Sequence, residues 1–334
     1  MMLFAGAVAY TAVSGCASVP AGAVTIPQRE LRPFIGRMVK EHGFSRAKLE
    51  RLFGRVRLRP GVLAAIRRPA EAKPWFQYRP IFLTSARIRG GVRFWDRYAP
   101  ILKRARQRYG VPPQIVTGII GVETRYGRRM GNIPVMDSLS TLAFDYPPRA
   151  RFFRRELAQF LLLTRDDGLD PLRVKGSYAG AMGMPQFIAS SYRRYAVDFD
   201  GDGHIDLANS PADAIGSVAR YLSAHGWRPG APVAIPAKVS GDHYRTLLGD
   251  NVSVPKRTLK ELEAFGVEAT GDAADTLGDR PAKLLRLQGR DGPGYWITFH
   301  NFYVITRYNH SALYAMAVYQ LGRAIRTARG RGGE

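Results

Sequence analysis

The sequence has a single cysteine, no long apolar run and comparatively few acidic residues. One cysteine, Cys16, excludes an intrachain disulfide and a metal site built from several cysteines. No apolar run reaches the roughly 18 residues that a membrane-spanning helix needs. The chain has 50 Lys and Arg but only 27 Asp and Glu, a formal net charge of +23. We therefore expect a soluble body that is attracted to polyanions.

The positive charge alone does not say whether the polyanion is a nucleic acid, an anionic lipid or an acidic cell-wall polymer. The basic residues are scattered along the chain, and there is no basic tail and no zinc-finger spacing. This distribution is typical of a solvated surface rather than of a nucleic-acid interface. Nucleic acid is therefore not an expected partner.

Residues 1–16 have the pattern of a lipoprotein signal peptide. Residues 4–13 (FAGAVAYTAV) match a signal-peptide core in length, and residues 13–16 (VSGC) resemble the lipobox of bacterial lipoproteins. The resemblance implies lipid on Cys16, a membrane anchor and a periplasmic location. Ala17, rather than Asp, implies sorting to the outer membrane. The alternative is an ordinary secretory signal, since no Lys or Arg precedes Phe4.

Hydrophobic periodicity divides the rest of the chain. Residues 17–95 are predicted to form a helical N-terminal region, and residues 96–228 a mainly helical core. Residues 229–300 carry Pro and Gly clusters around β-prone runs, which predict a small β-rich insertion. Residues 301–328 return to helical spacing, and residues 329–334 are expected to be disordered. The predicted fold class is mainly α (α+β).

Glu123 follows an apolar helical stretch. Pro113 opens a segment whose Ile and Val residues lead up to Glu123, and Gly127 is the predicted helix C-cap. Apolar surroundings disfavour the charged form of a carboxyl group, so we expect the pKa of Glu123 to rise toward the range of a general acid. The ordinary alternative for a lone helical Glu is a solvated surface position.

Residues 176–187 (GSYAGAMGMPQF) form a glycine-rich stretch. Glycines let backbone amides approach a ligand. Gln186 offers a donor and an acceptor that suit an N-acetyl group, and Met182 and Phe187 are candidates to wall a sugar subsite. The glycines alone are also compatible with a plain turn.

Residues 198–206 (DFDGDGHID) have the spacing of a calcium-binding loop. Gly203 stands where an EF-hand loop turns sharply, and oxygens at positions 1, 3, 5 and 9 of such a loop come from Asp198, Asp200, Asp202 and Asp206. Position 12 is Asn209 instead of the usual Glu, so Asp213 would have to close a longer loop. A structural calcium ion is expected, and an acidic turn without metal is the alternative.

Residues 302–319 (FYVITRYNHSALYAMAVY) combine several tyrosines with Asn309. A tyrosine ring offers a sugar both a stacking face and a hydroxyl. Taken alone, however, an aromatic helix is more often part of a core than of a binding site.

Together, these segments resemble the membrane-bound lytic transglycosylase B family. The match covers about residues 74–227 and 302–318 in the same order, and includes GIIGVETRYG, GSYAGAMGMPQF, AVDFDGDGHIDL, PADAIGSVARYLSAHGW and RYNHSALYAMAV. The resemblance implies a goose-lysozyme-like catalytic domain that acts on peptidoglycan glycan strands. We expect a monomer that needs no cofactor for catalysis.

The resemblance also assigns residues. It implies that Glu123 is the acid and base, that Ser177 and Gln186 contact the sugar, and that the groove is lined by Tyr78, Tyr221, Tyr308, Asn309 and Tyr314. The implied calcium ligands are Asp198, Asp200, Asp202, the carbonyl of His204, and Asp213.

The implied reaction cleaves the bond between N-acetylmuramic acid and N-acetylglucosamine without water. Glu123 would protonate the bridging oxygen and then deprotonate the muramyl C6 hydroxyl, whose attack gives a 1,6-anhydro product. Most glycosidases instead use two carboxylates, and a hydrolytic muramidase here would need a second one, such as Asp137 or Asp145. A non-catalytic, calcium-dependent peptidoglycan-binding lipoprotein is a further alternative, against which Glu123 and Gln186 argue.

Overall fold

The computed structural model describes residues 26–67, 73–249, 252–270 and 279–331. The predicted signal segment with Cys16 lies outside these residues. Among the described residues, no helix has both the length and the apolar character needed to cross a membrane.

Short helices make up the first part of the chain: α1 (Gln28–His42), α2 (Arg46–Phe53), α3 (Pro60–Ile66), α4 (Trp75–Phe82) and α5 (Ser85–Arg97). Side-chain caps fix two of their starts, because the hydroxyls of Ser45 and Thr84 accept hydrogen bonds from the Lys48 and Arg87 amides. The rings of Phe34, Phe53 and Phe144 pack edge to face. These contacts join α1 and α2 to the body of the protein.

Longer helices form that body: α6 (Ala99–Tyr109), α7 (Pro113–Thr124), α8 (Val135–Phe144), α9 (Ala150–Asp166), α10 (Ala189–Tyr195) and α11 (Pro211–Ala224). Helix α7 is buried from Ile115 to its end, as its nearly continuous apolar sequence requires. It packs against the final helix, α14 (Ala312–Arg331). The two backbones approach at Gly118, where a Cβ would lie 2.7 Å from the Val318 carbonyl oxygen.

The strands form two sheets. Strand β1 (Ile133–Pro134) pairs antiparallel with β2 (Lys175–Gly176). A five-stranded antiparallel sheet has the order β4-β6-β7-β3-β5 and consists of β3 (Ala234–Val239), β4 (Arg257–Thr258), β5 (Val267–Ala269), β6 (Pro281–Gln288) and β7 (Pro293–Phe299). Helix α12 (Leu259–Glu263) follows β4, and α13 (His300–Tyr308) follows β7 directly. The five-stranded sheet thus occupies the segment where the sequence predicts a β-rich insertion.

The apolar side chains form separate clusters. The largest surrounds α7, α11 and α14, the second joins α1–α3 to α8 and α9, and a small third one lies under the five-stranded sheet. The glycine-rich segment bridges the two helical clusters, because Phe187 belongs to the first and Met182 to the second.

The end of α7 differs from the sequence prediction. The C-cap is Arg125 and not Gly127. Arg125 and Tyr126 both adopt left-handed conformations, with φ of 51° and 63°. The contacts of Tyr126 with the Arg87 carbonyl and with Gly90 and Gly91 of α5 override the usual preference for glycine at such a position.

The predicted disorder of residues 329–334 is wrong for the part that the structure describes, because α14 continues to Arg331. The Arg329 Nε donates a hydrogen bond of 2.7 Å to Asp96 Oδ1. Its guanidinium also lies 5.2 Å from the centre of the Trp95 ring. These contacts with α5 stabilise the last turns of α14.

Candidate active site

Glu123 lies in the last turn of α7 and exposes 1% of its surface. Its Oε1 accepts a 2.6 Å hydrogen bond from the hydroxyl of Tyr314, a residue of α14. The carboxyl group is therefore held in the interior by a donor from the helix that packs along α7.

Tyr308 and Tyr314 lie near this carboxyl group, and Tyr78 lies near Tyr314. The rings of Tyr308 and Tyr314 are stacked, with centres 6.4 Å apart and an interplanar angle of 9°. Burial raises the pKa of both hydroxyls well above the usual value, and the neighbouring Glu123 raises it further. Tyr78 of α4 is buried and also raises the pKa of Tyr314. Tyr314 therefore stays protonated near neutral pH and donates to Glu123.

The glycine-rich segment is attached to α13 through aromatic side chains. The Tyr308 hydroxyl donates a hydrogen bond of 2.6 Å to the Pro185 carbonyl oxygen. The rings of Phe187, Tyr221 and Tyr308 pack together, with centres 4.8–5.9 Å apart. Tyr221 is fixed in turn, because its hydroxyl donates to the Arg307 carbonyl oxygen at 2.6 Å. Three residues predicted from separate motifs thus meet in one aromatic cluster.

Gln186 has a left-handed backbone conformation, with φ of 53°. Its Nε2 donates hydrogen bonds to the carbonyl oxygens of Gly183, at 2.9 Å, and of Met130, at 3.1 Å. The amide donor that the sequence analysis offered to a ligand is thus used inside the protein, and the remaining polar atom of the side chain is an acceptor.

The other predicted binding residues have different surroundings. The Met182 side chain is buried in the cluster of α8 and α9. The half-buried Ser177 Oγ accepts hydrogen bonds from the amides of Ala179 and Ala181, at 3.2 and 3.1 Å. Asn309 is buried at the C-cap of α13, directly after Tyr308.

Four of the predicted binding residues share one cavity. Its lining includes Gln186, Phe187, Tyr221 and Tyr308, together with Arg149, Phe152 and Phe153. Aromatic walls with a few polar atoms are the kind of surface that contacts sugars, but the cavity itself, at about 30 Å³, is smaller than a sugar ring. Sequence reasoning missed the residues from α9 and the turn before it, because an Arg followed by two Phe has no spacing that distinguishes a cavity wall from a core.

The carboxylates suggested for a hydrolytic mechanism are engaged elsewhere or exposed. Asp137 Oδ2 accepts hydrogen bonds from Arg59 Nη2 and Nε, at 2.7 and 2.9 Å, and Oδ1 accepts one from the Arg57 amide. Asp137 therefore attaches the segment before α3 to α8. Asp145 is exposed at the end of α8.

Asp198, Asp200 and Asp202 place carboxylate oxygens within 4.8 Å of one another. The two Asp198 oxygens accept hydrogen bonds from the Gly203 and Gly201 amides, and the bond from Gly203 lowers the pKa of Asp198. Such a group of oxygens fits the preference of Ca²⁺ for hard ligands.

Asp213 lies behind this loop, at the start of α11. Its buried carboxylate accepts hydrogen bonds from the amides of Phe199, at 2.7 Å, and Asp206, at 2.8 Å. Asp213 therefore braces the loop. Among the described residues, the group of potential metal ligands consists of the three aspartates, and calcium ligation by Asp213 or the His204 carbonyl stays a prediction.

A protein-family profile described as Transglycosylase SLT domain matches residues 27–323, most of the chain. The chain belongs to this transglycosylase family. It is 47% identical over 307 residues to the membrane-bound lytic murein transglycosylase B of Escherichia coli (strain K12), covering 89% of this chain and 82% of that protein. The resemblance found in the sequence is thereby confirmed.

Two solved structures of transglycosylases have a similar fold. The Escherichia coli lytic transglycosylase Slt35 in complex with calcium has a TM-score of 0.82 and 46% identity, covering 90% of this chain and 93% of that one. SltB3 from Pseudomonas aeruginosa in complex with NAG-anhNAM-pentapeptide has a TM-score of 0.79 and 33% identity, covering 89% and 79%. The mainly helical fold class with a small sheet is confirmed.

Proposed function

We propose that this lytic transglycosylase cleaves the β-1,4 bond between N-acetylmuramic acid and N-acetylglucosamine in peptidoglycan and leaves 1,6-anhydro ends. The observation that carries this proposal is the buried Glu123 carboxyl group, which is held by Tyr314 and lies near Tyr308, a residue that lines the cavity with aromatic walls. The pentapeptide complex of the related SltB3 supports a peptidoglycan substrate.

The hydrogen bond from Tyr314 defines the roles of the two Glu123 oxygens. Because Oε1 accepts from a tyrosine that stays protonated, the proton of the acid form resides on Oε2. Oε2 would donate this proton to the bridging oxygen as the bond from that oxygen to the muramyl C1 breaks. The leaving N-acetylglucosamine then carries the proton as its 4-hydroxyl.

The second half of the reaction returns the proton. The Glu123 carboxylate takes the proton of the muramyl C6 hydroxyl while the C6 oxygen forms a bond to C1, so the ring closes and no water is consumed. The substrate acetamido group or the groove stabilises the oxocarbenium-like charge between these steps. A single carboxyl group suffices for these two reaction steps. Asp137, one of the carboxylates suggested for a hydrolytic mechanism, forms a salt bridge with Arg59.

Digestion of purified sacculi in oxygen-18 water tests the reaction. We expect mass spectrometry to find muropeptides with anhydro ends and without oxygen-18, because the attacking oxygen belongs to the sugar. Reducing ends that carry oxygen-18 would show a hydrolytic muramidase instead. If the protein binds sacculi but releases no fragments, it is a binding protein and the proposal is wrong.

We further propose that the loop of Asp198, Asp200 and Asp202 holds a structural calcium ion, as the calcium complex of Slt35 suggests. Without the ion, the grouped carboxylates repel one another, so calcium is expected to stabilise the fold by binding only the native loop. We expect added Ca²⁺ to raise the melting temperature of the wild type by several degrees and that of Asp200→Asn much less. Asp242→Asn, which changes an exposed aspartate paired with Arg245, is the matched control.

The lipobox and the name of the membrane-bound relative support one more proposal, that Cys16 anchors this enzyme to the outer membrane from the periplasm. Cys16→Ala should move the protein from the membrane to the soluble fraction of cells, and unchanged fractionation would contradict the anchor.

A further inference from the structure

A second cavity, of about 600 Å³, lies beside the end of α7 and is rich in arginine. Its described lining contains no Asp or Glu, and its arginines are Arg87, Arg93, Arg97, Arg125, Arg128 and Arg129. Tyr126 and Met184 complete one side of it. Arginines grouped without carboxylates create a positive potential that favours an anion.

Arg87 differs from the other arginines of this group because it is buried, with only 7% of its surface exposed. Within the described part of the chain, its Nε and Nη1 have no hydrogen-bond partner. Burial, together with the nearby Arg125 and Arg129, lowers the pKa of Arg87 to about 10. Arg87 thus stays charged at neutral pH. A buried guanidinium with unused donors destabilises a fold unless an anion pairs with it.

The walls of this cavity are held in place. The Tyr126 hydroxyl donates a hydrogen bond of 2.8 Å to the Arg87 carbonyl oxygen. Added Cβ atoms at Gly90 and Gly91 would lie 2.9 and 2.6 Å from Tyr126 atoms, so α5 touches the ring closely. These contacts explain the left-handed turn at Arg125 and Tyr126. The backbone that carries Arg87 and Arg125 is thus positioned before a ligand arrives, which lowers the entropic cost of binding it.

The chemistry of the cavity indicates a planar oxyanion. A guanidinium group pairs with a carboxylate through two parallel hydrogen bonds. Arg125 is the C-cap of α7 and follows Glu123 by two residues, so the arginine wall of the cavity begins at the end of the helix that carries the reacting carboxyl group. Under the proposed function, a glycan strand with its peptide stems binds there, and those stems bring carboxylates to the end of α7.

We propose that the Arg87 cavity binds a carboxylate of the peptide stem carried by the substrate. This assignment rests on the proposed function, because the glycan strand delivers the peptide. It also explains the two guanidinium donors that have no partner within the described residues, on a group whose carbon lies 5.0 Å from the centre of the Phe82 ring. The enzyme would then distinguish glycan strands with peptide stems from strands that have lost them.

Arg87→Met tests the assignment through two quantities that should move in opposite directions. Met has a similar length but no charge. In the absence of ligand, the melting temperature of the Arg87→Met variant should therefore exceed that of the wild type. Affinity for a peptide-bearing ligand should fall about tenfold or more, as expected when a charge-assisted pair is lost. Arg89→Gln removes an exposed arginine of the same helix and is the matched control.

Binding is measured by calorimetry with every variant in a Glu123→Gln background, so the result does not depend on turnover. The probes are NAG-NAM-pentapeptide, the peptide-free disaccharide NAG-NAM, and vesicles containing phosphatidylglycerol. We expect Arg87→Met to weaken binding of the pentapeptide probe alone, and Arg129→Gln to weaken it to a smaller extent. Arg89→Gln should change none of the three.

Equal affinity of Arg87→Met and the unmodified background for the pentapeptide probe would overturn the assignment. Equal losses for both sugar probes would overturn it as well, because the cavity would then support the glycan and not the peptide. A loss restricted to vesicles would show a lipid phosphate site instead. None of these results affects the proposed reaction, which the oxygen-18 experiment tests separately.

Discussion

Glu123→Gln is expected to lower the release of anhydromuropeptides from sacculi by at least about a thousandfold, because one residue performs both proton transfers. Gln has the same shape and its amide oxygen can still accept the hydrogen bond from Tyr314. The substitution therefore removes the proton and not the packing. The initial rate of soluble product release, followed by mass spectrometry, measures the effect.

Glu156→Gln is the matched control for this prediction. Glu156 is also a buried glutamate, and its Oε2 accepts a hydrogen bond of 3.0 Å from the Ser190 amide. Burial raises the pKa of Glu156. We expect Glu156→Gln to keep activity within a few-fold of the wild type. If Glu123→Gln remained as active as this control, another group would have to be the acid.

The helix that carries Glu123 is well predicted from the sequence, because the residue pattern that defines it is local. Pro113 starts α7, and the sequence from Ile115 to Val122, which is apolar except for Thr117, leaves the helix no polar face, so Glu123 is buried at its end. The alternating strands of the sheet, such as β6 with Leu284 paired to Ile297 of β7, are equally local in their pattern.

Structural features that depend on contacts between residues far apart in the chain cannot be predicted from such local sequence patterns. The cap at Arg125 depends on Tyr126 reaching the Arg87 carbonyl, 39 residues earlier in the chain. The helical end of α14 depends on Asp96, and Arg329 gives no hint of that partner. A motif can therefore indicate Gln186 as a ligand residue without revealing that Met130 already uses its amide nitrogen.

The Arg87 cavity illustrates the same limit for charge. Its arginines come from α5 and from the turn after α7, and in the sequence they belong to the general excess of basic residues. Only the fold separates them from arginines with ordinary partners, such as Arg59 with Asp137. A net charge of +23 therefore indicates attraction to anions without locating a binding site.

Tyr314→Phe is expected to lower kcat by about 10- to 100-fold and to leave KM nearly unchanged. The hydroxyl donates to a carboxylate, and a hydrogen bond to a charged group contributes about 1.5–3 kcal/mol. Phe keeps the ring that stacks on Tyr308, so the walls of the site remain. The charged form of Glu123, which must take the C6 proton, loses its donor.

Tyr319→Phe provides the control within the same helix. Its hydroxyl donates a hydrogen bond of 2.5 Å to the Ala234 carbonyl oxygen at the five-stranded sheet, and the residue lines a different cavity from the one that Gln186 and Tyr308 share. Both variants lose one tyrosine hydroxyl, and only Tyr314→Phe should lose turnover. An unchanged kcat would mean that the Tyr314 hydroxyl does not determine which Glu123 oxygen carries the proton. A rise in KM with constant kcat would instead make Tyr314 a substrate contact, and Glu123 would then need another group to orient it.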